Sequence, residues 1–248
     1  MRKPIIAANW KMHKTVSETE EFLDAFLPEV QHVDDAEIVI APPFTSLERA
    51  SRRMANSNVA LAAQNVFYED KGAYTGEISP VMVKNVGCAY AIAGHSERRQ
   101  YFLETDEVIN KKVKVCPLFG LKVIFCIGET LEEREGGRTN SVLDLQLRRG
   151  LEGVELGHVV VAYEPVWAIG TGVTATTEQA QEAHKFIRDT LGDIYGDEAN
   201  RARILYGGSV KPDNVDDLMA CPDVDGALVG GASLEAESFT RIVKFRRT

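Results

Sequence analysis

The chain lacks any apolar run approaching the roughly 20 residues that a bilayer-spanning helix needs. Its N-terminus, Met1-Arg2-Lys3-Pro4-Ile5-Ile6-Ala7-Ala8-Asn9-Trp10, has no signal-length apolar core, because Asn9 and Lys11 interrupt it early. These absences read as a soluble, intracellular and cytoplasmic protein with no membrane partner. Cysteine is scarce. Cys88, Cys116, Cys126 and Cys221 form no CxxC pair and no His-rich cluster, which argues against zinc, or any metal, and for free thiols in a reducing compartment. Positive charge is in deficit: 28 Lys and Arg stand against 37 Asp and Glu, a formal net charge of −9. Nucleic acid is met by clustered cations, so that class of partner is disfavoured. A small anion is not, since local donors make such a site. No low-complexity tract and no linker divide the chain, so residues 1–248 are expected to form a single domain.

Short apolar runs recur along the whole length, at Ile5–Ala8, Ile38–Ala41, Val59–Ala62, Tyr90–Ala93, Val123–Cys126, Val159–Tyr163, Arg203–Leu205 and Ala227–Val229. They show no polar alternation, as expected of strands buried on both faces. Helical spacing fills the intervals at Val16–Val30, Ser46–Ala55, Thr105–Phe119, Ser141–Leu151, Glu178–Tyr195, Pro212–Ala220 and Ser238–Phe245. Thr177 suits a helix cap and Pro212 a first helical turn. Strands alternating with helices imply parallel pairing through crossover helices. Eight such units in this length predict an α/β fold, a (β/α)8 barrel. An open doubly wound sheet is the alternative, but Asn9-Trp10-Lys11 follows the first strand where its usual GxGxxG turn would stand.

In such a barrel the active site lies at the C-terminal ends of the strands. The first strand ends in Asn9 and Lys11, a hydrogen-bond donor and a fixed cation. The third ends in Gln64 and Asn65. The fourth ends in Gly94-His95-Ser96-Glu97-Arg98-Arg99, with His95 before a helix start at Ser96. There the helix dipole disfavours imidazolium. Glu97, Arg98 and Arg99 fit an ion-pair cluster supporting the site, and the other four histidines fit structural roles. The sixth strand ends in Glu164, followed by Pro165, Trp167, Ile169 and two glycines. A glutamate beside apolar surface that excludes water has a route to a raised pKa, which suits a general base. The seventh and eighth strands run into Tyr206-Gly207-Gly208-Ser209 and Gly230-Gly231, glycine pairs at the two strands after which this fold holds phosphate. Gly170 or Gly172 would add a donor if the preceding loop folds inward. A base, an imidazole, a lysine, an amide and a phosphate cradle suit proton abstraction beside a carbonyl in a small phosphorylated substrate.

Over its full length the chain resembles the triosephosphate isomerases. The resemblance rests on Asn9-Trp10-Lys11, Gly72 to Glu77, Ala93 to Arg99, Ala162 to Gly172, Tyr206 to Ser209 and Gly230-Gly231. It implies interconversion of dihydroxyacetone phosphate and glyceraldehyde 3-phosphate, a step of glycolysis and gluconeogenesis. Glu164 would be the base and His95 the proton carrier, with Lys11 and Asn9 at the oxyanion and Glu97 either catalytic or supportive. Gly170, Ser209, Gly230 and Gly231 would hold the phosphate. A loop around Val166–Thr176 would close over the site, with Tyr206 and Ser209 as candidate latches. No cofactor is implied, since only protons move. The resemblance also implies a homodimer, with the loop Phe67–Ser79 reaching into the neighbouring subunit and Thr75 near its tip. Rival readings are another phosphosugar enzyme on this fold, such as an aldolase, or a phosphosugar-binding scaffold with no need of both Glu164 and His95.

Overall fold

The structure, a computed structural model, describes residues 2–169 and 174–246. Eight strands close into one parallel barrel: β1 (Ile5–Asn9), β2 (Glu37–Ala41), β3 (Val59–Ala63), β4 (Tyr90–Ala93), β5 (Lys122–Ile127), β6 (Val159–Tyr163), β7 (Arg203–Tyr206) and β8 (Gly226–Val229). Each strand pairs with the next in sequence, and β8 pairs back onto β1, Ile5 opposite Gly226. The expected fold is therefore the observed one.

Two shells explain why the strands read as unbroken apolar runs. Ile5, Val39, Tyr90, Ile92, Ile124, Val160, Leu205 and Leu228 fill the barrel interior. The alternate residues, among them Ile6, Ile38, Val123, Val161 and Ile204, pack outward against the helices. Neither face meets water, so polar alternation is absent. Closure needs one backbone contact that only glycine permits. Gly226 has φ +148°, and a Cβ there would lie 1.9 Å from the Ile5 carbonyl oxygen across the β8–β1 seam.

The helices surround the barrel: α1 (Val16–Val30), α2 (Leu47–Arg53), α3 (Pro80–Asn85), α4 (Ser96–Tyr101), α5 (Asp106–Leu118), α6 (Leu131–Glu135), α7 (Thr139–Gly150), α8 (Thr177–Tyr195), α9 (Val215–Met219) and α10 (Ala236–Val243). Several expected helix boundaries shift by one to three residues, and two of these shifts have a clear side-chain cause. Thr176, not Thr177, caps α8, in a reciprocal box with Gln179. Pro212 lies in a turn ahead of α9, because the Asn214 side chain accepts the Lys211 N–H and donates to the Ser209 carbonyl, fixing that turn instead of a helix. Among the described residues no helix is long and apolar enough to cross a membrane.

Candidate active site

Glu164 continues the β6 ladder one residue past the strand. Its N–H donates to the Ile127 carbonyl at 2.7 Å, and the Gly207 N–H donates to the Tyr163 carbonyl at 2.7 Å. Glycines clear the space around it. A Cβ on Gly128 would fall 1.8 Å from the Glu164 carbonyl oxygen, and one on Gly207 would fall 2.9 Å from Glu164 Cγ. The carboxylate is buried. Its Oε1 lies 3.0 Å from His95 Nε2, and its Oε2 accepts the Ser96 N–H at 2.8 Å.

His95 follows Gly94, which has φ +78°; a Cβ there would sit 2.9 Å from the Cys126 carbonyl oxygen. The imidazole caps α4, accepting the Glu97 N–H at Nδ1 (3.2 Å). A nitrogen that accepts carries no proton, so the neutral ring holds its hydrogen on Nε2, facing Glu164. The expected electrostatics need correction. Burial opposes charge on both partners, lowering His95 and raising Glu164, but their attraction outweighs it. In this arrangement His95 is drawn above the usual histidine range and Glu164 is held below the usual carboxylate range, the Ser96 amide adding to the latter. A raised Glu164 pKa thus requires this contact to open.

Asn9 and Lys11 stand at the end of β1. Asn9 Oδ1 accepts the Lys11 N–H at 3.1 Å, which leaves the amide NH₂ as the donor available to a ligand. Lys11 has φ 51°, a left-handed conformation that is costly for a residue with a side chain. Gln64 stabilises it, donating to the Lys11 and Ala41 carbonyls, both at 2.9 Å. Lys11 Nζ lies 2.6 Å from Glu97 Oε1. Glu97 does not line the cavity described next; it meets the site through Lys11 and through His95, whose Nδ1 lies 3.7 Å from Glu97 Oε2. Asn65 also turns away, accepting from Lys112 at 2.7 Å. Arg98 and Arg99 pair with Glu104 (2.5 Å) and Asp106 (2.6 Å), as a supporting cluster should.

Asn9, Lys11, His95 and Glu164 share one cavity of about 750 Å³ with Ser209, Gly230 and Gly231. The structure brings together every candidate substrate-facing residue except Gly170, which with residues 171–173 lies outside the described residues. Two side chains pin the loop after β8. Trp10 Nε1 donates to the Ser233 carbonyl at 3.1 Å, and Ser233 Oγ donates to the Gly230 carbonyl at 2.6 Å.

Glu129 was not singled out from the sequence. It is wholly buried, and its Oε1 accepts from Tyr163 Oη (3.1 Å), Trp167 Nε1 (2.9 Å) and Arg134 Nη1 (3.2 Å). Its carbonyl accepts the Val166 N–H at 3.1 Å, and the Arg134 guanidinium lies 4.5 Å from the Trp167 ring centroid. One carboxylate therefore anchors the start of the loop that follows the base. Its position just past β5 was the available signal.

A closed eight-stranded parallel barrel with a carboxylate, an imidazole and a lysine at one mouth defines a barrel enzyme built for acid–base chemistry. A profile of the triosephosphate isomerase family matches residues 4–246. The triosephosphate isomerase of Geobacter metallireducens is 56% identical over 99% of this chain and 100% of its own length. That of Thermodesulfovibrio yellowstonii is 54% identical over the same shares. The crystal structure of triosephosphate isomerase from Bartonella henselae matches with a TM-score of 0.90 at 40% identity, covering 97% of each chain. The chain belongs to the triosephosphate isomerase family.

Proposed function

We propose that the chain interconverts dihydroxyacetone phosphate and D-glyceraldehyde 3-phosphate through an enediolate, as an intramolecular aldose–ketose isomerase of glycolysis and gluconeogenesis. The observation that carries this reading is the Glu164–His95 contact of 3.0 Å on a cavity that Lys11 and Asn9 also line. Both Glu164 oxygens are engaged, so substrate must displace one of these contacts. Its carbonyl oxygen then takes over the His95 Nε2–H, and the freed carboxylate faces the neighbouring carbon. Glu164 takes that carbon's proton, the C–H electrons become the C=C bond, and the former carbonyl oxygen gains negative charge. Lys11 and the Asn9 amide stabilise that oxyanion, and His95 moves a proton between the two oxygens. Reprotonation at the other carbon completes the exchange. Backbone N–H groups at Ser209, Gly230 and Gly231 bind the phosphate, with Gly170 from the loop, and Glu97 supports Lys11.

The reading predicts that purified protein converts glyceraldehyde 3-phosphate to dihydroxyacetone phosphate without added cofactor, incorporating deuterium from solvent at carbon. Protein that bound phosphate but gave neither turnover nor exchange would return it to the phosphosugar-binding class.

We read the working form as a cytoplasmic homodimer of single-barrel subunits. Thr75 is exposed on the loop between β3 and α3, in which Phe67 stacks on Tyr68 at 4.2 Å and meets Tyr74 at a tilt at 4.6 Å. Met12, next to Lys11, is 94% exposed, and Tyr101, Phe102 and Leu103 are also open. Apolar groups exposed this close to a site suit coverage by a second copy. Thr75→Arg would bury an unpaired charge there, at a cost of roughly 3–5 kcal/mol. It should shift the protein towards monomer in sedimentation at micromolar concentration and reduce activity in step. A variant that sediments like wild type and keeps full activity would show that the loop serves its own subunit.

A further inference from the structure

The substrate proposed above carries a phosphate, and the cavity's ionised groups are poorly matched to an anion. Lys11 is already paired with Glu97 at 2.6 Å. Glu164 and Asp213 both line the cavity and are anionic, in a chain of net charge −9. Lys211 also lines it, two residues after Ser209, and it is exposed. Among the described residues it forms no ion pair within 4.0 Å and covers no aromatic ring. It is therefore the one unpaired lysine or arginine among the described lining residues. Its backbone is fixed, since the Lys211 N–H donates to Asn214 Oδ1 at 2.8 Å while Asn214 Nδ2 donates to the Ser209 carbonyl at 2.9 Å. A single asparagine thus clamps the lysine and the phosphate-side serine in one turn.

We propose that Lys211 is a steering and binding cation for the substrate's phosphate, offsetting Asp213 and the chain's negative field at the cavity rim. A long, solvated side chain at the rim acts mainly on encounter and on ground-state binding. Among the described residues the Lys211 side chain forms no hydrogen bond or ion pair with Glu164 or His95, so the proton transfers are left to those two groups. Lys211 thus sorts substrates by phosphate charge, a task distinct from that of Lys11. This inference rests on the isomerase reading for its substrate, but not for its phosphate binding.

The test compares Lys211→Gln, Lys211→Glu and Lys211→Arg. At low ionic strength, Lys211→Gln should lower kcat/KM for glyceraldehyde 3-phosphate roughly threefold to tenfold through KM, with kcat little changed. Lys211→Glu should lower it further, and Lys211→Arg should restore it. The loss should shrink as potassium chloride is added, because the rim is solvated. It should be absent with D-glyceraldehyde, which has no phosphate. Inorganic phosphate, titrated calorimetrically into each variant, should bind more weakly to the Gln and Glu forms. An equal loss with D-glyceraldehyde, or unchanged kcat/KM and phosphate affinity at low salt, would overturn the proposal. Wild-type protein that fails to turn over any triose phosphate would sink the isomerase reading instead, and the phosphate titration would still decide on Lys211.

Discussion

The two mouths of the barrel use similar side chains to opposite ends. At the N-terminal mouth, Glu37 at the start of β2 accepts from the Tyr90 phenol of β4 and from Arg203 of β7 at 2.6 Å, with Lys122 of β5 at 3.8 Å. These contacts run between strands and tie non-neighbouring staves together. At the C-terminal mouth, Glu164 touches His95 and Asn9 accepts the Lys11 N–H, yet all four line a cavity. Ionised groups of the first kind are spent on the fold. Those of the second kind keep a face for a ligand, held in place by glycine-made clearance and by the left-handed backbone of Lys11. The difference lies in what the groups face, not in which residue types are present.

The sharpest way to break this comparison is Glu164→Gln. If the upper mouth is built for chemistry, losing the base should cost on the order of 10²–10⁴-fold or more in kcat. Folding should survive, since the amide keeps the side chain's shape and relieves the burial of a charge. Rate and thermal unfolding measured on the same preparation would decide. Turnover within threefold of wild type would remove Glu164 from the mechanism, and a collapsed fold with the activity would mean that the upper mouth is structural as well.

A second test uses acid. His184 of α8 is wholly buried, with its ring edge-on to Tyr163 at 5.9 Å, behind the upper mouth. Nδ1 lies 3.3 Å from the Asp223 carbonyl oxygen, and among the described residues Nε2 has no partner, so the ring is neutral with its proton on Nδ1. Burial holds its pKa down to about 4. The unfolded chain takes up that proton near pH 6.5 and the folded chain does not. Stability is therefore complete above about pH 6.5 and falls as the pH drops towards 4, by at most about 3 kcal/mol. His184→Gln should flatten this slope in urea titrations. A wild-type curve flat from pH 7 to 4.5 would show that His184 accepts a proton without unfolding.

How much of this was legible in the sequence follows from the same physics. The run Val159–Tyr163 became β6 with its ends unchanged, because a strand buried on both faces writes itself as an apolar run. Glu164, His95, Asn9 and Lys11 were legible because each stands just past such a run. The pKa direction of Glu164 was not, for it depends on His95, which is distant in sequence and brought near only when the barrel closes. Glu129 was missed for a related reason: Gly128-Glu129-Thr130 resembles any polar connection until Tyr163 of β6 and Trp167 of the turn after it arrive to bury it. The start of α9 was misplaced because the Asn214 clamp is a side-chain event that helical spacing does not record.

The smallest expected effect is at the lower mouth. Glu37→Gln keeps the shape and one acceptor but removes the charge that Arg203 meets. Charge-assisted hydrogen bonds contribute about 1.5–3 kcal/mol when buried; with Glu37 and Arg203 both partly open to solvent, about 1–2 kcal/mol is expected. Burial would raise the Glu37 pKa, yet its bonds to Tyr90 and Arg203 prevail and hold it below the usual carboxylate range. A depressed carboxylate stabilises the fold above its unfolded pKa, near 4.3, and loses that contribution as the pH falls through the folded value. The stability gap between wild type and Glu37→Gln should therefore be full at pH 7 and narrow below about pH 4, while kcat/KM at pH 7 stays within twofold. Urea midpoints at several pH values, beside one rate assay, test both halves. A gap that ignores pH would mean that the charge on Glu37 is idle, and a fall in kcat/KM would mean that the two mouths are not separable.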